Sequence, residues 1–184
     1  GIYMLEKTEV FNMICIPPDQ RTSDTDPGET DPLVYAHAAE YCQQKHAFLI
    51  CDPPTAWHNM AKQGNYAFDP TDVGINGIAE RWAAVYFPHI VEEDILSNGQ
   101  KKTFPACGVI AGVMAQTDST RGVWKAPAGI DAGLLGVSKL SLNLNDSHNG
   151  QLNQVGINCL RSFPTLGPIV WGARTLRGAD QLED

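Results

Sequence analysis

The chain has 184 residues, 43% apolar and 18% charged, long enough to bury one sizeable core and globular rather than disordered in composition. Its formal charge is −8 and it contains no Lys/Arg run. That excludes the phosphate-neutralising pattern of a nonspecific nucleic-acid binder and argues against an anionic membrane surface. No apolar stretch approaches the roughly 20 residues needed to span a bilayer, and no signal-peptide pattern is present. Five cysteines (Cys15, Cys42, Cys51, Cys107, Cys159) are scattered without a Cys-x-x-Cys pair. They are expected to be reduced, buried thiols, with no disulfide and no zinc.

In chain order, Phe11-Asn-Met-Ile-Cys-Ile-Pro-Pro18 predicts a short buried strand halted by a proline pair, and Phe48-Leu-Ile-Cys-Asp-Pro-Pro54 repeats the design. A polar loop, Asp19 to Thr30, separates them from a helix that starts with Asp31 as N-cap and Pro32 at the first helical position. Leu33, Val34, Ala38 and Tyr41 supply its apolar spacing. Together these elements make a βαβ unit, whose strands run parallel with a right-handed crossover. A helix is expected over Asp72–Arg81, then a third buried strand, Trp82–Phe87, ended by Pro88. Asn98-Gly99 marks a turn.

Pro105 opens a small-residue helix, Ala106–Gln116, in which Gly108 and Gly112 are read as a face packed closely on a sheet. Alternation at Leu140, Leu142 and Leu144 predicts a half-exposed strand over Val137–Leu144. A short helix over Asp146–Gln154 is closed by Gly156, and strands Ile157–Arg161 and Pro168–Thr175 follow. The expected class is α/β: layers built on a mainly parallel sheet flanked by helices, with an extra β element near the C-terminus.

The run Phe48–Trp57, FLICDPPTAW, invites an enzymatic reading, because amino-group methyltransferases present a carboxylate in an Asp-Pro-Pro setting. Such a site needs an aromatic directly after the prolines to stack on the flipped base. Here that place is Thr55, and Trp57 comes two residues late. The cofactor turn is missing too, since Gly74 and Gly77 do not follow a strand. Asp52 is therefore read as a structural or helix-capping carboxylate, with an S-adenosylmethionine-dependent methyltransferase kept as the alternative. The histidines at 37, 46, 58, 89 and 148 are too dispersed for a metal cluster, and the loop with Asp24, Asp26, Glu29 and Asp31 lacks the closing Glu of a calcium site. Asn145-Asp-Ser147 matches a glycosylation sequon without a secretory context, and no Gly-x-Ser-x-Gly exists. Cys107 sits near a helix start but within apolar surroundings, where it is expected to pack against the sheet.

Two long stretches carry no chemistry of this kind: Arg121-Gly-Val-Trp-Lys-Ala-Pro-Ala-Gly129 and Gly156-Ile-Asn-Cys-Leu-Arg-Ser-Phe-Pro-Thr-Leu-Gly-Pro-Ile-Val-Trp-Gly-Ala-Arg-Thr-Leu176. They closely resemble the signature segments of contractile tail sheath proteins of phages and phage-tail-like particles. Ala111-Gly112-Val113 with Thr117-Asp118, Leu5-Glu-Lys before Phe11-Asn, and Ala47-Phe-Leu-Ile-Cys-Asp-Pro-Pro54 extend the resemblance over nearly the whole chain.

The resemblance implies a subtilisin-like α/β fold without a catalytic triad, with Phe104 near the slot of the nucleophile. It also implies one conserved domain over residues 1–184, taken from a subunit whose N-terminal extension and C-terminal domain are absent. Its partners would be neighbouring sheath subunits, the tail tube and the baseplate, with no nucleic acid and no membrane insertion. Its place would be a virion tail or tail-like particle assembled in the bacterial cytoplasm. No cofactor, metal or catalytic residue is expected, and without its arms the fragment should be monomeric. Arg121, Lys125, Arg161 and Arg174 are the candidate subunit-interface residues. Trp124, Pro127, Phe163 and Trp171 are expected to pack within the domain.

Overall fold

The computed structural model describes residues 1–178. Four strands, β1 (Met13–Cys15), β2 (Phe48–Cys51), β3 (Ala83–Phe87) and β7 (Ile157–Phe163), run parallel, and β8 (Gly167–Val170) closes the sheet antiparallel to β7. The order β1-β2-β3-β7-β8 follows the chain without reversal. A second sheet, β5-β4-β6, is antiparallel and consists of β4 (Ile90–Asp94), β5 (Gln100–Phe104) and β6 (Lys139–Leu140).

The central strands read as continuous apolar runs because both faces of the sheet are covered. Successive side chains alternate between two cores. Leu49, Cys51, Val85, Phe87 and Cys159 face α1 (Pro32–Lys45), α2 (Thr55–Lys62) and α4 (Asp146–Gln154). Ile50, Ala84, Tyr86 and Leu160 face α3 (Cys107–Arg121) and the small sheet. Trp57 anchors the first core: it is fully buried, stacks on Phe68 at 5.1 Å and donates from Nε1 to Asp72 at 2.9 Å.

Helix starts follow local chemistry. Asp31 accepts the Leu33 amide at 2.8 Å with Pro32 behind it, and Asn145 caps α4 by accepting the His148 amide at 2.9 Å. The sequon asparagine is thus engaged as a helix cap. On α1 the buried face is Tyr35, Ala38, Ala39, Tyr41 and Cys42, whereas Leu33 and Val34 lie exposed. The expected helix over 72–81 is two 3₁₀ turns instead, Pro70–Val73 and Gly77–Trp82. Gly74 separates them at φ +89°, and a Cβ there would meet Pro32 at 2.6 Å, so close approach to α1 breaks the helix. The strand expected over 137–144 shortens to Lys139–Leu140.

The mainly parallel, subtilisin-like fold expected from the sequence is corrected. The principal sheet is mixed, and the helix expected to follow a nucleophile, α3, follows β5, an antiparallel strand of the second sheet. A strained turn from a central parallel strand into a helix, which a nucleophile needs, is therefore missing before α3. Phe104 ends β5 with the Arg21 guanidinium 4.7 Å above its ring. Gly108 and Gly112 are exposed, and a Cβ at either would meet nothing within 4 Å. They face away from the sheet, and α3 packs through Cys107, Ile110 and Val113. Gly108→Ala and Gly112→Ala are each expected to raise stability by about 0.5–1 kcal/mol, read from urea midpoints. A lowered midpoint would contradict the outward placement.

Candidate functional site

Asp52 stands at the C-terminal end of β2, the edge of a parallel sheet where ligands often bind. Its carboxylate is turned inward, 5% exposed. Oδ1 accepts the amides of Ala106 at 2.8 Å and Cys107 at 3.0 Å, the otherwise unmatched N–H groups at the start of α3. The Asp52 amide donates to the Tyr35 hydroxyl at 3.1 Å, and that hydroxyl donates to the Ile16 carbonyl at 3.4 Å. Burial pushes the Asp52 carboxyl up to about 6, although hydrogen bonds from Cys107 and Ala106 pull the other way. The group works as a cap supplied from 54 residues upstream, not as a carboxylate offered to a base.

Cys15, Cys51 and Cys107 lie near it, and all five cysteines are free thiols. The Cys15 thiol donates to the Cys107 carbonyl at 3.3 Å. The hydrogen bond with Cys15 and burial push the Cys107 thiol up, opposite to what a reactive thiolate needs. Burial likewise raises Cys42 to about 11 and Cys159 to about 12. Among the described residues no group of three or more His, Cys, Asp or Glu could hold a metal. One pairing escaped the sequence reading: His58 on α2 and His89 after β3 stack face to face, 3.9 Å between ring centroids. Their 31-residue separation gives no spacing signal.

The four candidate interface cations divide. Arg121, at the end of α3, pairs with Asp131 at 2.9 Å with both side chains 53% exposed. Lys125 donates to the carbonyls of Ala126 at 2.9 Å and Ala128 at 3.3 Å. These two line one open cleft of about 290 Å³. Arg161 on β7 binds Asp146 at 2.7 Å and lies 4.8 Å from the Phe163 ring centroid. The Arg174 backbone is tied to the Asn158 side chain at both its amide (2.8 Å) and carbonyl (2.7 Å), and its guanidinium donates to the Gly178 carbonyl. Phe163 and Trp171 pack ring to ring at 5.1 Å. Trp124 differs from expectation: it is 84% exposed, with its ring lying over Gly122.

Removing the cap should be costly. Asp52→Ala leaves two buried amides unmatched and is expected to lower stability by about 1–3 kcal/mol in chemical denaturation. Because the folded-state pKa is raised, Asp52 favours folding below the unfolded value of 3.8 and loses that contribution as pH rises toward 6. The stability of the wild type relative to Asp52→Asn should therefore fall by about 3 kcal/mol across that window. A pH-independent difference would contradict the buried ionisation.

The comparisons with known proteins bear on this arrangement directly. Residues 4–176 match the family described as phage tail sheath protein central domain. A tail sheath protein of Vibrio phage KVP40 is 35% identical over 79 residues, covering 42% of this chain and 12% of that protein. The chain also resembles a chain of the contracted helical sheath of the anti-feeding prophage, with TM-score 0.70 and 29% identity over 98% of this chain and 43% of that one. A chain in the baseplate structure of the same particle gives TM-score 0.67 and 29% identity over 96% and 41%. The chain thus spans less than half of the length of these relatives. These likenesses overturn the subtilisin-like expectation and the methyltransferase alternative. The chain belongs to the phage tail sheath protein family, whose central domain it matches over residues 4–176.

Proposed function

We propose that this domain is the rigid body of a contractile tail sheath subunit, which polymerises around a tail tube and contracts by re-docking whole domains. The observation that carries this reading is the likeness over 98% of the chain to a subunit of a contracted helical sheath. Subunits in such an array meet through heterologous contacts that propagate helically rather than closing on themselves. The extended array is metastable, and contraction moves it to a more favourable packing with energy stored during assembly. A body with two close-packed cores on one sheet suits this task, because packed interiors transmit displacement instead of absorbing it.

The wider subunit extends the reading. Residues 1–184 would form one domain, and arms outside it would add strands to neighbouring sheets, holding subunits together while the bodies slide. Its partners are other sheath subunits, the tail tube and the baseplate, in a virion tail or tail-like particle of a bacterial host. Arg121 and Lys125 are the candidate cations best placed for contact between subunits, since Arg121 at the end of α3 and Lys125 in the loop after it flank the exposed Trp124. Trp and Arg are the side chains most often found at interface hot spots.

Arg121→Glu and Lys125→Glu in the intact subunit should leave the monomer within about 0.5 kcal/mol of wild-type stability. Both should impair tube formation seen by electron microscopy. Normal tubes from both variants would contradict the assignment of this loop to the interface.

A further inference from the structure

A cavity of about 420 Å³ lies between α2, the β4–β5 hairpin and β6. His58, His89 and Ser141 form part of its wall. The His89 amide donates to His58 Nε2 at 3.1 Å beneath the stacked rings, and the Ser141 amide donates to the His89 carbonyl at 2.9 Å. Burial, and then Lys62, holds the His58 imidazole down at about 4, and burial beside His58 holds His89 well below its usual value. Both rings are neutral at physiological pH. His89 Nε2 and Ser141 Oγ are buried without a hydrogen-bond partner among the described residues. These atoms are closed off from solvent, so the polar contacts that the cavity can offer an occupant lie at its rim.

The rim is cationic. Lys62, Lys101 and Lys139 line the cavity, are exposed, and form no ion pair among the described residues. Lys102 differs: it is held by Asp94 at 3.0 Å and Asp24 at 3.5 Å. The Asp26 carboxylate is engaged by the Gly28 amide and the Thr55 hydroxyl. Three exposed ammonium groups thus surround one cavity on a chain of net charge −8.

We propose that this cavity receives a carboxylate-bearing segment of a second copy of the subunit, with Lys62, Lys101 and Lys139 pairing with its acidic side chains. The inference rests on the sheath reading. Copies of an acidic body repel one another, so a contact between them needs a local patch of opposite sign to fix register. A carboxylate fits the rim, since it accepts from lysine ammonium groups.

The test uses tubes assembled from the intact subunit. Carbodiimide couples a lysine to a carboxylate only when they touch, so mass spectrometry of treated tubes should find inter-subunit links from Lys62, Lys101 or Lys139 that are missing in monomers. The double variant Lys101→Glu/Lys139→Glu should raise the concentration needed for assembly by about tenfold or more, with monomer circular dichroism unchanged. Lys7→Glu/Lys45→Glu, the same change of net charge elsewhere on the surface, should not. Wild-type tubes without these links, with the double variant assembling normally, would overturn the cavity proposal and leave the sheath reading standing. Equal loss in Lys7→Glu/Lys45→Glu would reduce the effect to net charge and also overturn it. So would inorganic phosphate filling the cavity, seen as shifted His58 and His89 imidazole resonances, without weakening assembly. A wild-type subunit that forms no tubes would contradict the sheath reading itself, and the cavity proposal with it.

Discussion

The first amides of α3 have no partner inside their own helix, and the residue at its N-cap is Ala106, which has no side-chain acceptor. Asp52, at the end of β2, supplies the missing acceptor with one carboxylate oxygen. This bond fixes where α3 begins over the sheet, and with it the layer made by Ile110, Val113, Leu134, Leu140 and Leu160. On the opposite face α1, α2 and α4 pack around Leu49, Cys51, Val85 and Trp57. Asp52 therefore links two cores that the strands alternately feed. A buried carboxylate is an expensive connector, and its backbone partners explain why it is tolerated here.

A body organised this way has little to deform. The five-stranded sheet is covered on both faces, and its prolines end β1 and β2 where no further ladder partner exists. Polar and apolar features available to partners lie on the periphery instead. They include the Arg121–Gly129 loop with its exposed tryptophan, the outward glycines of α3, and the lysine-rimmed cavity beside the small sheet. Rigid interior and varied exterior are what a subunit needs if it keeps its shape while exchanging contacts.

Much of the parallel core was legible because it depends on local and strong signals. Asp31-Pro32 starts α1, the apolar runs at 48–51 and 83–87 form β2 and β3, and 146–154 is α4. Asp52 was readable as a cap because the residues a base-modifying site needs are missing around it, yet its partners at 106 and 107 were not. The β4–β5 hairpin announced only its turn. Glu92 and Glu93 face Lys102 and Lys101 across the ladder, and such pairing is set by tertiary register rather than by apolar periodicity. The glycines of α3 misled for a related reason: spacing places two residues on one helix face but does not say whether that face is buried. The His58–His89 stack and the lysine rim join residues from separate elements, so no window of sequence contains them.

The central claim, that this domain moves as a rigid body within a contracting sheath, is tested most directly by cryo-electron microscopy of the same sheath before and after contraction. Rigid-body motion predicts that residues 4–176 superpose within about 1 Å between the two states, with the Asp52–Ala106 bond intact and the displacement confined to contacts between subunits. Repacking of α3 against the sheet, or loss of the Asp52 cap on contraction, would contradict it.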